Sequence, residues 1–202
     1  MTRLRISCLF LGLGFISVCG CAVLKGISAG QEWSSNYSLM QGVEANDPAI
    51  IDGDVGTVGQ SQYLEGSGDT IRDFNAPSES IVFLPEAKSI HRIVIYSSNL
   101  VEFDLWVMDA QSRWEKFQEI KGNKKPVIDL RLNRTLNTTG IKIKVRRTSD
   151  DAEMRRKNVE RVGGYRIYKG RTRAPAKIAE IELYGFVTKG DKMDDPYGET
   201  QN

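Results

Sequence analysis

Apolar and polar residues alternate with a period of two through most of the middle of the chain. The clearest stretch is 101–108, where Val101, Phe103, Leu105 and Val107 share one face. Such alternation is typical of a β-strand with one buried face. The same pattern predicts further strands at Ile81–Leu84, Ile90–Tyr96, Trp114–Phe117, Val127–Leu132, Ile141–Val145 and Ala179–Tyr184.

Turn-forming residues separate these strands. Segments such as 109–112, 122–123 and 137–140 contain the Gly, Asn, Asp and Ser residues that favour turns. No long helical periodicity competes with the strands in the first 147 residues. Many short alternating strands joined by turns predict an all-β protein with an antiparallel β-sandwich.

Four segments resemble, in the right order, the motifs of a known family. They are the Asp-Gly-Asp loop at Ala49–Thr57, the strand Ser80–Pro85, the core run from Ile90 to Trp114 and the closing strand Ala179–Gly185. On these residues the chain resembles the discoidin or coagulation-factor C-type domain, a galactose-binding-like β-sandwich with jelly-roll topology. The resemblance covers residues 40–187, which we expect to form the domain.

Members of this family often carry a structural calcium ion between the Asp-Gly-Asp loop and the closing strand. The resemblance implies Asp52, Asp54, Thr57 and Glu180 as the ligands, and their hard oxygen atoms suit Ca²⁺. The chain departs from the family at Gly59, where a Trp is usual. The alternative is that Asp52 begins an ordinary turn and that Glu180 is a solvated strand residue.

Glycan-binding members of the family contact sugars with aromatic, Arg, Asn and His side chains of their loops. The resemblance places the loop from Gly56 to Asn75 at one end of the sandwich, with Tyr63, Arg72 and Asn75 as candidate ligand-binding residues. The alternative is an ordinary polar loop. Trp106 falls on the outer sheet face, where we expect residues 33–40 or the late insert to cover it.

A strongly basic segment precedes the last strand. Residues 142–177 carry thirteen Lys and Arg against four acids, whereas the whole chain has 28 basic and 26 acidic residues. Such a surface attracts phosphate head groups, acidic glycans or an acidic protein face. The alternative is that these charges are solvated or paired with acids of the domain. The candidate docking residues are Arg155, Arg156, Arg161, Tyr165, Arg166 and Tyr168.

The basic segment contains an insert relative to the family pattern, at 148–175. Asp150 and Glu153 have the spacing of a capping box, which predicts a short helix over 151–162 that ends at Gly163. A β-hairpin that turns at Gly163 and Gly164 is the alternative.

The first twenty residues have the features of a secretory signal. Arg3 and Arg5 precede the uncharged apolar run Ile6–Val18, which is too short to span a bilayer. The following Cys-Gly-Cys resembles the lipobox of bacterial lipoproteins, in which Cys21 is lipidated and becomes the first residue of the mature chain. Ala22 then favours the outer membrane, since an Asp there retains many lipoproteins in the inner membrane.

Cleavage before Cys21 leaves that residue as the sole cysteine of the mature chain. An intramolecular disulfide and a cysteine metal site are thereby excluded. The Gly-, Ser- and Asn-rich stretch 21–39 predicts a tether, and the charged residues 188–202 predict a disordered tail.

The sequence offers little support for catalysis. His91 is the single histidine, and the chain lacks the motifs of zinc proteases, serine hydrolases and nucleotide-binding enzymes. We therefore predict a non-enzymatic binding module, lipid-anchored in the bacterial cell envelope and of glycan-binding or adhesion type. Its expected partner is a glycan or an envelope protein, and nucleic acid is not expected. The alternative is a scaffold lipoprotein that docks an envelope protein or an anionic surface through its basic insert.

Overall fold

The computed structural model describes residues 31–64 and 71–188. Residues 33–186 form one compact unit. The predicted signal peptide, Cys21 and the tether as far as residue 30 lie outside the described residues, as does the predicted tail from residue 189. Within the described part of the chain, no helix has the length and hydropathy needed to cross a membrane.

Strands account for most of the described elements. The helices are α1 (Ile71–Phe74) and α2 (Asp151–Asn158), and single 3-10 turns occur at Tyr37–Leu39 and Pro48–Ile50. The strands are β1 (Gln31–Trp33), β2 (Glu44–Ala45), β3 (Gly59–Gln60), β4 (Gln62–Tyr63), β5 (Ser78–Ser97), β6 (Leu100–Met108), β7 (Trp114–Ile120), β8 (Val127–Thr148), β9 (Val159–Val162), β10 (Tyr165–Tyr168), β11 (Lys177–Tyr184) and β12 (Phe186–Thr188).

The two longest strands, β5 and β8, pair with each other twice. Residues 79–83 of β5 lie opposite 140–144 of β8, and residues 88–96 lie opposite 127–138. The ladder shifts register between Phe83 and Lys88, where Pro85 has no N–H to donate. Because both strands continue past this interruption, each contributes one half to each of two sheets.

The remaining strands extend these two halves in opposite directions. On one side β6 follows the second half of β8, and β7 follows β6. On the other side β11 follows the second half of β5, and β3 follows β11. All of these pairs are antiparallel, which confirms the predicted all-β sandwich.

The predicted period-two residues form the core between the sheets. Phe103 and Leu105 of β6 are fully buried, and so are Ile93 and Ile95 of β5. Burial of each such side chain stabilises the fold by about 1.5 to 3 kcal/mol. Tyr37 also belongs to this core, although its sequence context predicts a tether.

The insert contains both of the structures that its sequence left open. Helix α2 ends at Asn158, and a β9–β10 hairpin follows directly. Gly163 and Gly164 form the hairpin turn with φ of 57° and 85°, values that favour glycine. The predicted capping box is wrong, because the Asp150 side chain makes no cap hydrogen bond. Its carboxylate instead accepts a hydrogen bond from Asn99 and pairs with Lys177 at 2.9 Å.

One buried carboxylate holds the two ends of the insert together. Asp151 Oδ1 accepts hydrogen bonds from Thr148 Oγ1 at 2.8 Å and from the backbone N–H of Ala174 at 2.9 Å. Asp151 Oδ2 accepts from the backbone N–H of Thr148 at 3.2 Å. Asn99 reinforces this closure, since its side chain donates to Pro175 O and accepts from Lys177 N. The position of α2 and the hairpin on the sandwich therefore depends on Asp151.

We expect Asp151→Ala to lower the free energy of unfolding by about 2 to 4 kcal/mol, because it leaves buried donors of Thr148 and Ala174 without their acceptor. Urea unfolding would measure the change. Glu153→Ala on the same helix removes an exposed carboxylate and should cost less than about 1 kcal/mol. Equal losses in the two variants would contradict the role of Asp151.

Candidate functional site

A cleft of about 600 Å³ lies between helix α2, the β9–β10 hairpin and the segment that follows the hairpin. Five arginines line it, together with a few neutral side chains that can form hydrogen bonds or stack. The residues that matter for its chemistry are Arg155, Arg156, Arg161, Arg166, Arg173, Asn75, Tyr168 and Thr172. The concentration of cationic groups in one concave surface marks it as the candidate functional site.

The hairpin presents different chemistry on its two faces. Arg161 lies directly opposite Arg166 in the β9–β10 register, and Val159 lies opposite Tyr168. These four residues share one face because side chains two apart in a strand point the same way, and all four line the cleft. Like charges directly opposite each other destabilise a hairpin. The fold thus places these arginines together at an energetic cost.

Twelve of the thirteen basic residues in the segment 142–177 fall into two groups. The first group is paired with acids of the domain: Lys142 and Lys144 with Glu79, Arg146 with Asp104, Arg147 with Glu102, Lys157 with Glu153, Lys169 with Glu160 and Lys177 with Asp150. For these residues the predicted alternative, pairing with acids of the domain, is correct.

The second group lines the cleft. Within the described residues, the guanidinium groups of Arg155, Arg156, Arg161 and Arg166 have no ion pair or hydrogen bond. Arg173 donates to the backbone oxygen of Arg146, which leaves its charge without an acidic partner there. The cleft therefore holds cationic charge that the described part of the domain does not neutralise.

The predicted docking residues converge except for one. Arg155, Arg156, Arg161, Arg166 and Tyr168 all line the cleft. Tyr165 lies on the other face of the hairpin and is 79% exposed, together with Val162 and Ile167. Thr172 and Arg173 also line the cleft. Neither was among the docking residues predicted from the sequence, although both lie in the basic segment 142–177.

Of the predicted ligand-binding residues whose side chains the structure describes, Tyr63 and Asn75, only Asn75 lines the arginine cleft. Tyr63 is engaged by the chain itself, because its hydroxyl donates to Arg173 O and the Arg171 guanidinium lies 3.8 Å from its ring centroid. Arg72 belongs to α1, and its side chain lies outside the described part of the structure. Asn75 lines the arginine cleft, where its Oδ1 accepts a hydrogen bond from Thr172 at 2.6 Å. Asn75 and the docking arginines thus belong to one site.

Trp106 is half-buried, but its neighbours are not the predicted ones. The Lys142 and Lys144 ammonium groups lie 5.3 and 5.9 Å from its ring centroid. Trp33 instead stacks on Phe186 at 4.5 Å, and Asn36 accepts a hydrogen bond from the backbone of Leu183. Trp33 and Asn36 therefore pack along the end of β11.

Glu180 occupies an unusual electrostatic position. It is 1% exposed, so it is not the solvated residue of the alternative interpretation. Its Oε2 accepts a hydrogen bond from Gly53 N at 3.0 Å, whereas its buried Oε1 has no partner within the described residues. Burial, with a smaller contribution from the charge of Asp52, raises the pKa of Glu180 to about 7.

The loop that covers Glu180 explains the departure from the family at Gly59. A Cβ atom there would lie 2.7 Å from Ile50 Cγ2 and 2.9 Å from Asp47 Oδ2, so no side chain fits. Asp52 and Asp54 are exposed, and each accepts a backbone hydrogen bond of its own loop. Thr57 donates its N–H to Asp54 O. The structure thus brings Asp52 and Gly53 to Glu180.

These residues offer a partial fit to a metal ion. No group of three or more Asp, Glu, His or Cys side chains converges within the described ranges. The unpaired Oε1 of Glu180 is nevertheless a hard oxygen donor, and the Asp52 carboxylate is near enough to raise the pKa of Glu180. The two side chains supply part of the six to eight oxygen ligands that Ca²⁺ takes.

The raised pKa of Glu180 predicts a pH-dependent stability in the presence of EDTA. The contribution of Glu180 to the free energy of unfolding is fully present below pH 4.5. It is lost as the pH rises through about 7, because folding then buries a charged carboxylate. The loss is at most about 3 kcal/mol, at about 1.4 kcal/mol per pKa unit. Glu180→Gln should remove this dependence, so urea unfolding of both proteins from pH 4.5 to 8 measures it as a difference. A constant difference between them across that range would contradict it.

No family model and no curated protein match the chain. Among solved structures, it is similar to the family 32 carbohydrate-binding module of Clostridium perfringens NanJ, solved in complex with galactose, with 15% identity and a TM-score of 0.51. That match covers 76% of this chain and all of the module.

Two further matches are weaker. Chitosan-binding module 2 of a Paenibacillus sp. IK-5 chitosanase/glucanase, in complex with chitotriose, has 13% identity and a TM-score of 0.49 over 74% of this chain and 100% of its own. The family 32 module of Streptococcus pneumoniae EndoD has 14% identity and a TM-score of 0.42 over 74% and 99%. The likeness to the NanJ module shows that this chain has the discoidin or galactose-binding-like fold of family 32 carbohydrate-binding modules.

Proposed function

We propose that the protein is a carbohydrate-binding module of the bacterial cell envelope, anchored by a lipid on Cys21. The observation that carries the proposal is the concave arginine-lined cleft on a domain with this fold. The NanJ module with the same fold was solved in complex with galactose. Fold alone does not assign a ligand, so the argument depends on the cleft.

The cleft has the composition that a sugar site needs. Tyr168 supplies an aromatic ring, and Asn75 supplies an exposed amide group that can bond hydroxyls. The buried Thr172 hydroxyl donates to Asn75 Oδ1 and so positions this amide. Its volume lies within the range of about 300 to 1,000 Å³ that is usual for ligand sites. These features favour a ligand with rings and many hydroxyl groups.

The anchor follows from the signal sequence. Val18, Gly20 and Cys21 fit the lipobox, and Ala22 favours the outer membrane. Two or more acyl chains on one cysteine would give stable membrane attachment, whereas one chain is marginal. An anchored module would hold its cleft close to the envelope surface.

A second candidate function is a scaffold role, and one observation favours it. Val162, Tyr165 and Ile167 are 50%, 79% and 44% exposed on the outer face of the hairpin. Exposed apolar side chains grouped in this way are typical of a surface that contacts another protein. In this case an envelope protein would cover the outer face of the hairpin.

Glycan-array binding tests the leading proposal. Cys21→Ser should block lipidation and leave an uncleaved or a soluble form, and the soluble form is used for the array. We expect selective binding to one class of glycan, lost in a variant with Tyr168→Ala but retained with Tyr165→Ala on the opposite hairpin face. Absence of binding to every glycan, by protein that is folded by circular dichroism, would favour the scaffold role instead.

We also propose a structural calcium ion, held by Glu180 and Asp52, with Asp54 and Thr57 as further candidate ligands. The ion would supply a positive charge to the unpaired carboxylate oxygen of Glu180 and would fix the loop 52–57 against β11. Its role would be structural, since nothing connects it with the arginine cleft.

Calcium should therefore stabilise the protein at pH 8, where Glu180 is charged. Addition of Ca²⁺ at 100 times its dissociation constant corresponds to about 2.7 kcal/mol and to a rise in Tm of several degrees. Differential scanning calorimetry with EDTA and with Ca²⁺ would measure this rise. Glu180→Gln should abolish it, and an equal rise in the variant, or none in the wild type, would contradict the site.

A further inference from the structure

The charge of the cleft specifies the ligand more narrowly than the fold does. Arg155 and Arg156 lie on consecutive positions of α2, and Arg161 and Arg166 are paired across the hairpin, so two walls of one cleft carry guanidinium groups. The acidic side chains nearest in sequence are turned to other partners. Glu153 pairs with Lys157 at 2.8 Å, and Glu160 pairs with Lys169 on the opposite face of the hairpin.

This arrangement is costly for an empty or neutral site. Each guanidinium repels the others across the cleft, and no described acidic group lines it. An anion that enters would remove this repulsion and would accept several charge-assisted hydrogen bonds. Guanidinium groups bind carboxylate, sulfate and phosphate groups through two parallel N–H donors, so they favour anions that present two oxygen atoms side by side.

The neutral residues of the cleft favour an anionic saccharide over other kinds of anion. Tyr168 and Val159 form a half-buried apolar floor on the hairpin, and the pair Asn75–Thr172 lies at its edge. A simple phosphate would not use an aromatic ring. A flat lipid surface would meet the exposed apolar face of the hairpin, which carries Tyr165, rather than this concave one.

We infer that the cleft binds an acidic saccharide, a glycan whose rings carry carboxylate or sulfate groups. The four arginines Arg155, Arg156, Arg161 and Arg166 bind the anionic groups, and Tyr168 stacks on a ring. Asn75, positioned by the buried Thr172, contacts hydroxyls. This inference rests on the proposed carbohydrate-binding function and names its substrate class.

The test compares ligands that differ only in charge. Soluble Cys21→Ser protein is titrated with polygalacturonate fragments, with the same fragments fully methyl-esterified, with dextran sulfate and with neutral dextran. We expect the acidic polymers to bind at least about tenfold more tightly than their neutral counterparts at low salt. Binding should weaken as salt rises from 0.1 M to 1 M, since the screening length falls from about 10 Å to about 3 Å.

The protein variants locate the site. Arg161→Glu with Arg166→Glu should reduce binding of the acidic polymers by at least about tenfold. Lys124→Glu with Lys125→Glu makes the same change in net charge on exposed side chains outside the cleft and should leave binding nearly unchanged. Circular dichroism confirms folding, and Arg161→Gln with Arg166→Gln serves as the milder pair if the reversal unfolds the hairpin. Equal losses in the cleft and control pairs would overturn the assignment, because the attraction would then be a property of overall charge.

The outcomes separate this inference from the proposed function. Binding to methyl-esterified fragments or neutral dextran as tight as to the acidic polymers would overturn the acidic-saccharide inference and leave carbohydrate binding intact. If the protein binds none of the polymers and no glycan on the array, both the carbohydrate-binding function and the acidic-saccharide inference are wrong. Cleft-dependent binding to vesicles that contain phosphatidylglycerol, without binding to the acidic polymers, would assign the cleft to a lipid surface and overturn the inference.

Discussion

The double pairing of β5 with β8 is the constraint on which the rest of the structure depends. Both strands leave one sheet and continue into the other, so the two sheets share one backbone ladder, which shifts register near Pro85 and again between Ile90 and Arg92. Strands β6 and β11 pair directly with this frame, and β7 and β3 are added to them in turn. The face on which a side chain emerges is therefore fixed by its register to β5 or β8, because a shift of one residue would move it to the other face.

The loop at 52–57 and the insert at 148–175 each involve one buried carboxylate of the domain. The loop at 52–57 packs over β11 and buries Glu180, a residue whose carboxylate lacks a partner on one oxygen. The insert leaves β8 at Thr148 and returns at Ala174, and Asp151 binds both of these points. One carboxylate is thus left with unused bonding capacity, whereas the other uses its capacity to close the base of the insert.

In the cleft, the clustered arginines lower the stability of the free protein but favour the binding of an anion. Seven of the thirteen basic side chains in the segment 142–177 are paired with acids of the domain. Four arginines are left unpaired around one concavity among the described residues, two of them opposite each other in the hairpin. Such an arrangement lowers the stability of the free protein and raises its affinity for an anion, since the ligand relieves the repulsion. The neighbouring Tyr168, Asn75 and Thr172 then decide which kind of anion fits.

The sequence by itself determined the fold class, because the period-two pattern of residues such as Phe103 and Leu105 reports directly which face of a strand is buried. It also located the basic insert and both of the insert's structural alternatives. Only the tertiary structure decided which arginines are neutralised, since pairing depends on residues as distant in sequence as Asp104 and Arg146. It likewise placed Asn75 beside Thr172 and Arg171 over Tyr63, contacts that no local pattern encodes. The sequence did not predict the burial of Glu180 for the same reason. Strand alternation assigns a side chain to a face, whereas the loop that covers this face lies more than a hundred residues earlier in the chain.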